Sequence, residues 1–327
     1  MKICVFGAGA IGGHVAARLA QGGADVSVVA RGAHLDAIRE KGLTVEAEDG
    51  RFTVPVAASA DPAALGRQDA VIVTVKAPSL PSVAAAIAPL RAADTPVAFV
   101  MNGIPWWYFH AHGGARDGQR LPRIDPDGAM WEAVGPGNAI GGVVYSACTV
   151  REPGIVAVAG NYNRIVLGEP DGRTGGRVEA IAGALRAGGW RIDVTERIRH
   201  AIWSKLMLNL YSGLLSIASG GAPLRALMAD PAIAAAARRL VEEGQAIAAA
   251  MGCPVGLNID RLLAPASQAA HTPSIVQDLQ LGRPMEIEAL YQAPLAMARQ
   301  AGVATPTLDL LAAVARHRAA AAGLYQP

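Results

Sequence analysis

Hydrophobic and polar positions switch repeatedly between strand-like and helical periods along this chain. Residues 2–6 are a short, almost continuous apolar run and a glycine-rich hexapeptide follows. Apolar residues then recur at helical spacing over 11–21, before a second apolar run at 25–29. Strand, tight turn, helix and strand within about 30 residues is the βαβ pattern of a parallel sheet. Residues 43–46 and 52–56 predict a small hairpin around Asp49-Gly50. Residues 69–75 and 97–101 predict two buried strands with a helix near 79–90 between them. Strand-like runs return at 140–150, 155–159 and 164–167, followed by a helix at 176–187 and a strand at 191–194. From about residue 196 the strand signals vanish, and helical stretches run over 198–219, 231–251, 259–269, 284–301 and 308–321. The pattern predicts an α/β fold: a Rossmann-type doubly wound parallel sheet over 1–195, followed by an all-helical second domain over 196–327.

Composition narrows the picture. Of 327 residues 52% are hydrophobic and 17% charged, so a sizeable core is expected and disorder is not. A net charge of +2 argues against a nucleic-acid partner. Cys4, Cys148 and Cys253 are dispersed without metal spacing, which suits a reducing cytoplasm and a role as small buried hydrophobes. The longest nearly uncharged run, 201–224, is interrupted by Asn209, several serines and Lys205, so no membrane span is expected. The first strand begins at Lys2, so no cleaved leader is expected either. The long apolar helices leave room for a homodimer.

The glycine-rich segment Gly7-Ala8-Gly9-Ala10-Ile11-Gly12 matches G-x-G-x-x-G in its required context, directly after a strand and opening a helix. Gly7 allows the tight turn, Gly9 lets the backbone approach a pyrophosphate, and Gly12 lets helix pack on strand. The helix N-terminus supplies unpaired N–H groups and a positive dipole for the phosphates. Residues 1–195 thus read as a dinucleotide-binding domain. An NAD site usually carries a carboxylate at the end of the second strand for the ribose 2′-hydroxyl. Here that strand ends Val28-Val29-Ala30-Arg31-Gly32, and Arg31 is placed to grip a 2′-phosphate, which favours NADP.

Of 29 basic residues only four are lysine: Lys2, Lys41, Lys76 and Lys205. A lysine that persists in an arginine-biased chain is a candidate for chemistry that needs a titratable amine. Lys205 is the one charged residue between His200 and Arg225, on a strongly helical, apolar segment where Asn209 shares its face four residues on. A buried ammonium titrates low or pairs with a carboxylate, and a low-titrating amine suits a general acid near neutral pH.

With these residues in view the chain resembles the ketopantoate reductases (2-dehydropantoate 2-reductases), relatives of the 6-phosphogluconate dehydrogenase-like enzymes, over nearly its whole length. The glycine loop with "VARGAHLDAIREKGL" is similar to that family's NADP-binding opening, "VTVKA" around Lys76 to its lysine near the nicotinamide, and "MNG" around Asn102 to its cofactor-side asparagine. "SKLMLN" resembles the catalytic helix, which implies a proton-donor role for Lys205 and a substrate-binding role for Asn209. "PSIVQDLQLGRPMEIEAL" resembles the segment carrying a serine and a glutamate twelve residues apart. Ser274 and Glu286 match it, which implies contacts to the substrate carboxylate and hydroxyl, with Glu286 also in the catalytic set. The resemblance implies an NADP(H)-dependent oxidoreductase acting on CH–OH, in pantothenate biosynthesis. Hydride transfer to a 2-oxo acid would leave an alkoxide for Lys205 to protonate.

Two stretches depart from the family pattern. Ser212-Gly213 stand where many members have a second asparagine, and the 104–137 excursion is long. A bulkier 2-oxo acid or an imine as substrate, or a non-catalytic NADP-sensing protein, are the alternative readings. "FVMNGIPWWYFHAHGG" places Trp106, Trp107, Tyr108 and Phe109, four of fifteen aromatics, side by side just past Asn102. They either anchor the excursion or face a partner subunit, or one or two of them, with Trp107 or Tyr108 as candidates, roof the substrate pocket. His110, His112 and His271 do not make a credible metal set.

Overall fold

The computed structural model describes residues 1–267 and 272–326. They form two compact units: residues 1–101 with 106–198, and residues 102–105 with 199 onward. The four residues 102–105 are a short insertion of the second unit into the chain of the first.

The first unit is built on strands β1 (Lys2–Phe6), β2 (Asp25–Val29), β3 (Leu43–Ala47), β4 (Gly50–Val54), β5 (Ala57–Ser59), β6 (Ala70–Val73), β7 (Val97–Val100), β8 (Ala139–Glu152), β9 (Ile155–Gly168) and β10 (Arg191–Val194). They join in one sheet of order β4-β3-β9-β8-β7-β6-β1-β2-β5, with β10 also on β9. From β5 to β8 every pairing is parallel. Beyond that the sheet is mixed, with antiparallel pairs at β8/β9 and β3/β4. The parallel strands read as apolar because they are covered on both faces: β6 and β7 are buried at every residue. Helices α1 (Ala10–Gln21), α2 (Gly32–Lys41) and α5 (Gly176–Ala187) pack on the sheet, while α3 (Leu80–Ile87) and α4 (Ala129–Ala133) pack on each other. Val15 and Leu19 of α1 and Ile181 and Leu185 of α5 enter the same core as Ile3, Val5 and Ile72.

Two features differ from the sequence pattern. The runs at 155–159 and 164–167 are one continuous strand, β9, bridged by the polar and partly exposed segment Gly160-Asn161-Tyr162-Asn163. An antiparallel hairpin with one open face lacks the apolar run that marks a doubly covered strand. Helix α2 is the other: it buries only Leu35 and Ile38, too little for its period to show.

The aromatic run belongs to this unit and is interior. Trp106, Trp107, Tyr108 and Phe109 are each at most 1% exposed. Trp106 meets Phe99 edge-on at 5.4 Å between ring centroids and Trp131 at 6.1 Å, and Phe109 meets Tyr108 at 5.0 Å. Gly141 makes room for the Trp107 ring, since a Cβ there would stand 2.6 Å from it. The long excursion thus carries its own aromatic core. The expectation that Trp107 or Tyr108 roofs a substrate pocket is corrected: both rings are consumed in packing, which edge-to-face geometry favours.

The second unit is helical: α6 (Ile198–Ala218, from Arg199 on), α7 (Leu224–Met228), α8 (Pro231–Ala250), α9 (Ile259–Leu263), α10 (Ser274–Gln280), α11 (Ala293–Ala301) and α12 (Pro306–Ala321). Helix α8 starts cleanly because Asp230 caps it, accepting from Ala232 N at 2.8 Å. Glu243 on α8 accepts from Thr307 and Leu308 N at 2.9 and 2.8 Å, placing a carboxylate at the N-terminus of α12. Gly244 of α8 lets Met207 and Leu210 of α6 pack directly against its backbone. The stretch expected as a helix over 259–269 is α9 followed by a 3₁₀ turn at Ala264–Ser267. Its last two residues, and His271, lie outside the described residues. The stretch at 284–301 opens instead with a π-turn, Glu288–Gln292, leading into α11. No helix among the described residues is long and apolar enough to cross a membrane.

Candidate functional site

The glycine-rich loop joins β1 to α1. Gly7 and Ala8 N–H groups both donate to Val29 O at 3.1 Å, which ties the loop to the end of β2. Gly7 has φ +102°, a left-handed conformation that costs a side chain dearly. A Cβ at Gly12 would overlap both the Gly7 carbonyl oxygen and Thr74 Oγ1. Thr74, at the end of β6, donates from Oγ1 to Gly7 O at 2.6 Å and so holds the loop from below. Gly9 contrasts with both: nothing stands within 4 Å of the position its Cβ would take. It is also the N-cap of α1 and offers no side-chain cap, so the first-turn N–H groups of a twelve-residue helix are left to an outside acceptor. Tight backbone beneath and open space above the middle glycine are what a dinucleotide pyrophosphate needs, so Gly7, Ala8, Gly9, Ala10, Ile11 and Gly12 fit the group.

Arg31 lies at the N-cap of α2 with its side chain exposed, one residue past the last buried position of the second strand region. Three residues on, His34 accepts at Nδ1 from Gly154 N at 2.9 Å, and burial lowers its pKa. Lys76 sits half-buried at the N-cap of a 3₁₀ turn, Ala77–Ser79, beyond the end of β6. Glycine loop, Arg31 and Lys76 therefore follow the carboxyl ends of parallel strands β1, β2 and β6, where such sheets receive ligands.

In the second unit α6 presents Lys205, Asn209 and Gly213 at one-turn spacing on one face. Lys205 is half-buried, and desolvation lowers its pKa to about 8. Asn209 Nδ2 is buried and has no hydrogen-bond partner among the described residues. Ser212 does not extend the set: its Oγ donates back to Leu208 O at 2.6 Å, satisfying the helix instead. At Gly213 two other segments arrive. A Cβ there would overlap the Tyr291 hydroxyl from the π-turn and would stand 3.1 Å from Ile275 of α10. Ile275 neighbours the exposed Ser274 at the first position of α10. Glu286, 4% exposed, lies near enough for its charge to add to burial in pushing the Tyr291 hydroxyl pKa far up. The serine and glutamate twelve residues apart thus sit on the two segments that close on α6 one turn beyond Asn209.

The π-turn also positions Asn102. Its wider hydrogen bonding leaves the Ala289 carbonyl to accept from Ile104 N at 2.9 Å. Gly103, at φ +80°, passes so close that a Cβ would stand 2.5 Å from the same oxygen. Asn102 is thereby fixed to the helical unit that carries Lys205. Sequence reasoning missed three of these parts: Thr74, Tyr291 and the π-turn. Thr74 lies inside the "VTVKA" motif, but nothing in the sequence marked its hydroxyl. A π-turn leaves no periodic signature. His110 and His112 pack on Trp131 and on the Tyr108–Phe109 pair. No group of three or more His, Cys, Asp or Glu among the described residues could hold a metal ion.

Comparison with known proteins agrees across both units. The family model described as ketopantoate reductase PanE/ApbA matches residues 3–112, and its C-terminal counterpart matches 197–319. A 2-dehydropantoate 2-reductase of Mesorhizobium japonicum is 43% identical, covering 99% of this chain and 100% of that protein. A solved structure from Ralstonia solanacearum MolK2, described as a candidate ketopantoate reductase, is 39% identical. It covers 99% of both chains at a TM-score of 0.92. The 2-dehydropantoate 2-reductase structure from Geobacter metallireducens is 28% identical, covers 97% of this chain and 99% of that one, and has a TM-score of 0.84.

Proposed function

Because this chain belongs to the ketopantoate reductase family, NAD(P)-dependent oxidoreductases acting on CH–OH, we propose that it reduces 2-dehydropantoate with NADPH and that Lys205 donates the proton. One observation carries the reading: α6 holds a single lysine in an apolar face, with a pKa lowered to about 8, and one turn away an amide nitrogen, Asn209 Nδ2, that has no partner among the described residues. A nicotinamide held at this site would supply the hydride for the carbonyl carbon. As charge moves onto the carbonyl oxygen, Lys205 Nζ stabilises it and passes its proton there, leaving the 2-hydroxy acid and a neutral amine. Asn209 Nδ2 donates to a substrate oxygen and holds the carbonyl against Lys205. Ser274 Oγ donates to the substrate carboxylate, and Glu286 accepts from the terminal hydroxyl. Asn102 and Lys76 would hold the cofactor's nicotinamide side, and the glycine loop its pyrophosphate. With the aromatic run buried in the first unit, that run gives no reason to enlarge the substrate.

The test is NADPH oxidation by the purified protein over a panel of 2-oxo acids. 2-Dehydropantoate should give the highest kcat/KM; a poor rate on it beside a good rate on a bulkier acid would overturn the substrate assignment. Cofactor choice has its own check. Arg31→Ala removes a charge-assisted contact to the 2′-phosphate of about 1.5–3 kcal/mol, so KM for NADPH rises about ten- to a hundredfold while KM for NADH stays. Equal changes for both cofactors would show that Arg31 does not read the phosphate.

A further inference from the structure

Tyr291 is fully buried, and its hydroxyl has no hydrogen-bond partner among the described residues. Leaving a buried hydroxyl unmet costs stability, and phenylalanine would fill the same space without that cost. Position 213 is also committed to this atom, because only glycine admits the hydroxyl against α6. Two positions on separate elements are therefore arranged around an oxygen that meets no hydrogen-bond partner among the described residues. That oxygen stands one turn beyond Asn209 Nδ2, a second buried donor without an acceptor among the described residues, which itself stands one turn beyond Lys205. Lys205, Asn209 and the Tyr291 hydroxyl form a row of three donors, the third supplied by the π-turn where α6 has only hydrogen.

What such a donor serves follows from its neighbour. Glu286 is close enough to act on the Tyr291 hydroxyl, and a substrate carboxylate would be repelled by that charge. A substrate hydroxyl is not: it gives its one proton to the Glu286 carboxylate and needs a donor for its own lone pairs. We propose that Tyr291 is a specificity-determining residue that donates from Oη to the terminal hydroxyl of the substrate, opposite Glu286, with Gly213 as its obligatory partner on α6. Its strongly raised pKa keeps the phenol protonated, and so a donor, through the pH range of the reaction. The proposal rests on the 2-dehydropantoate reading and adds to it the residue that recognises the hydroxyl end.

The experiment compares wild type with Tyr291→Phe on 2-dehydropantoate and on trimethylpyruvate, the same carbon skeleton without the hydroxyl, together with Tm. On 2-dehydropantoate KM should rise about tenfold or more. On trimethylpyruvate KM should not change, and Tm should be equal or higher because an unmet hydroxyl has been removed. An unchanged KM on 2-dehydropantoate, or equal losses on both substrates, would overturn the assignment while leaving the proposed function intact. A wild type inactive on 2-dehydropantoate would overturn the proposed function and this assignment together.

Discussion

Lys205→Met lowers kcat for 2-dehydropantoate about 10²–10⁴-fold, the range that a positioned general acid supplies, with KM for NADPH unchanged. Methionine keeps the apolar stem and removes the amine, so the loss isolates the proton and the charge. Stability moves the other way. An amine whose pKa falls on folding costs stability wherever the unfolded chain keeps its proton. The pKa drops from 10.5 to about 8, so the cost is full below about 8 and gone above 10.5. At pH 7 the variant should therefore melt no lower than wild type, apart from small repacking. Steady-state rates with a thermal melt check both halves. A variant that oxidises NADPH as fast as wild type with 2-dehydropantoate would remove Lys205 from the mechanism.

The second large effect separates two glycines three residues apart. In Gly9→Ala the new methyl meets nothing of the protein within 4 Å, and Gly9 has φ −69°, which alanine tolerates. Tm should stay, while the methyl stands where the pyrophosphate must approach the backbone, so NADPH affinity falls about a hundredfold or more, the equivalent of about 2.8 kcal/mol. In Gly12→Ala the methyl overlaps the Gly7 carbonyl and Thr74 Oγ1, so the fold itself gives way by about 1–3 kcal/mol or more, and Tm falls together with affinity. Fluorescence titration with NADPH beside a melting curve distinguishes the pair. If Gly9→Ala bound NADPH normally, the open face of the loop would not be the dinucleotide site.

The sequence pattern reached those elements whose chemistry is local. β1, β2 and β10 fall where the apolar runs put them, and α5 and most of α6 where the helical period does. The G-x-G-x-x-G loop was readable because each glycine answers a separate steric demand. The mixed half of the sheet was less so, since β9 has one open face and its polar centre reads as a loop. Lys205 and Asn209 were visible as exceptions to an apolar helix. Tyr291 was not, because its place depends on a π-turn and on the missing side chain of Gly213, seventy-eight positions earlier in the chain. The aromatic run shows the opposite case. Its composition pointed to a special surface, and long-range packing on Phe99, Trp131 and Gly141 made it core.

The central claim is that a single desolvated amine on α6 supplies the proton for reduction of 2-dehydropantoate. The most direct measurement is kcat/KM for that substrate with saturating NADPH, followed across pH in wild type. Reduction needs the ammonium, so the profile should be level below about 8 and fall tenfold per pH unit above it, while oxidation of the product rises through the same pH. A profile for reduction that stays flat through pH 8–10, or that rises with pH, would contradict Lys205 as the proton donor.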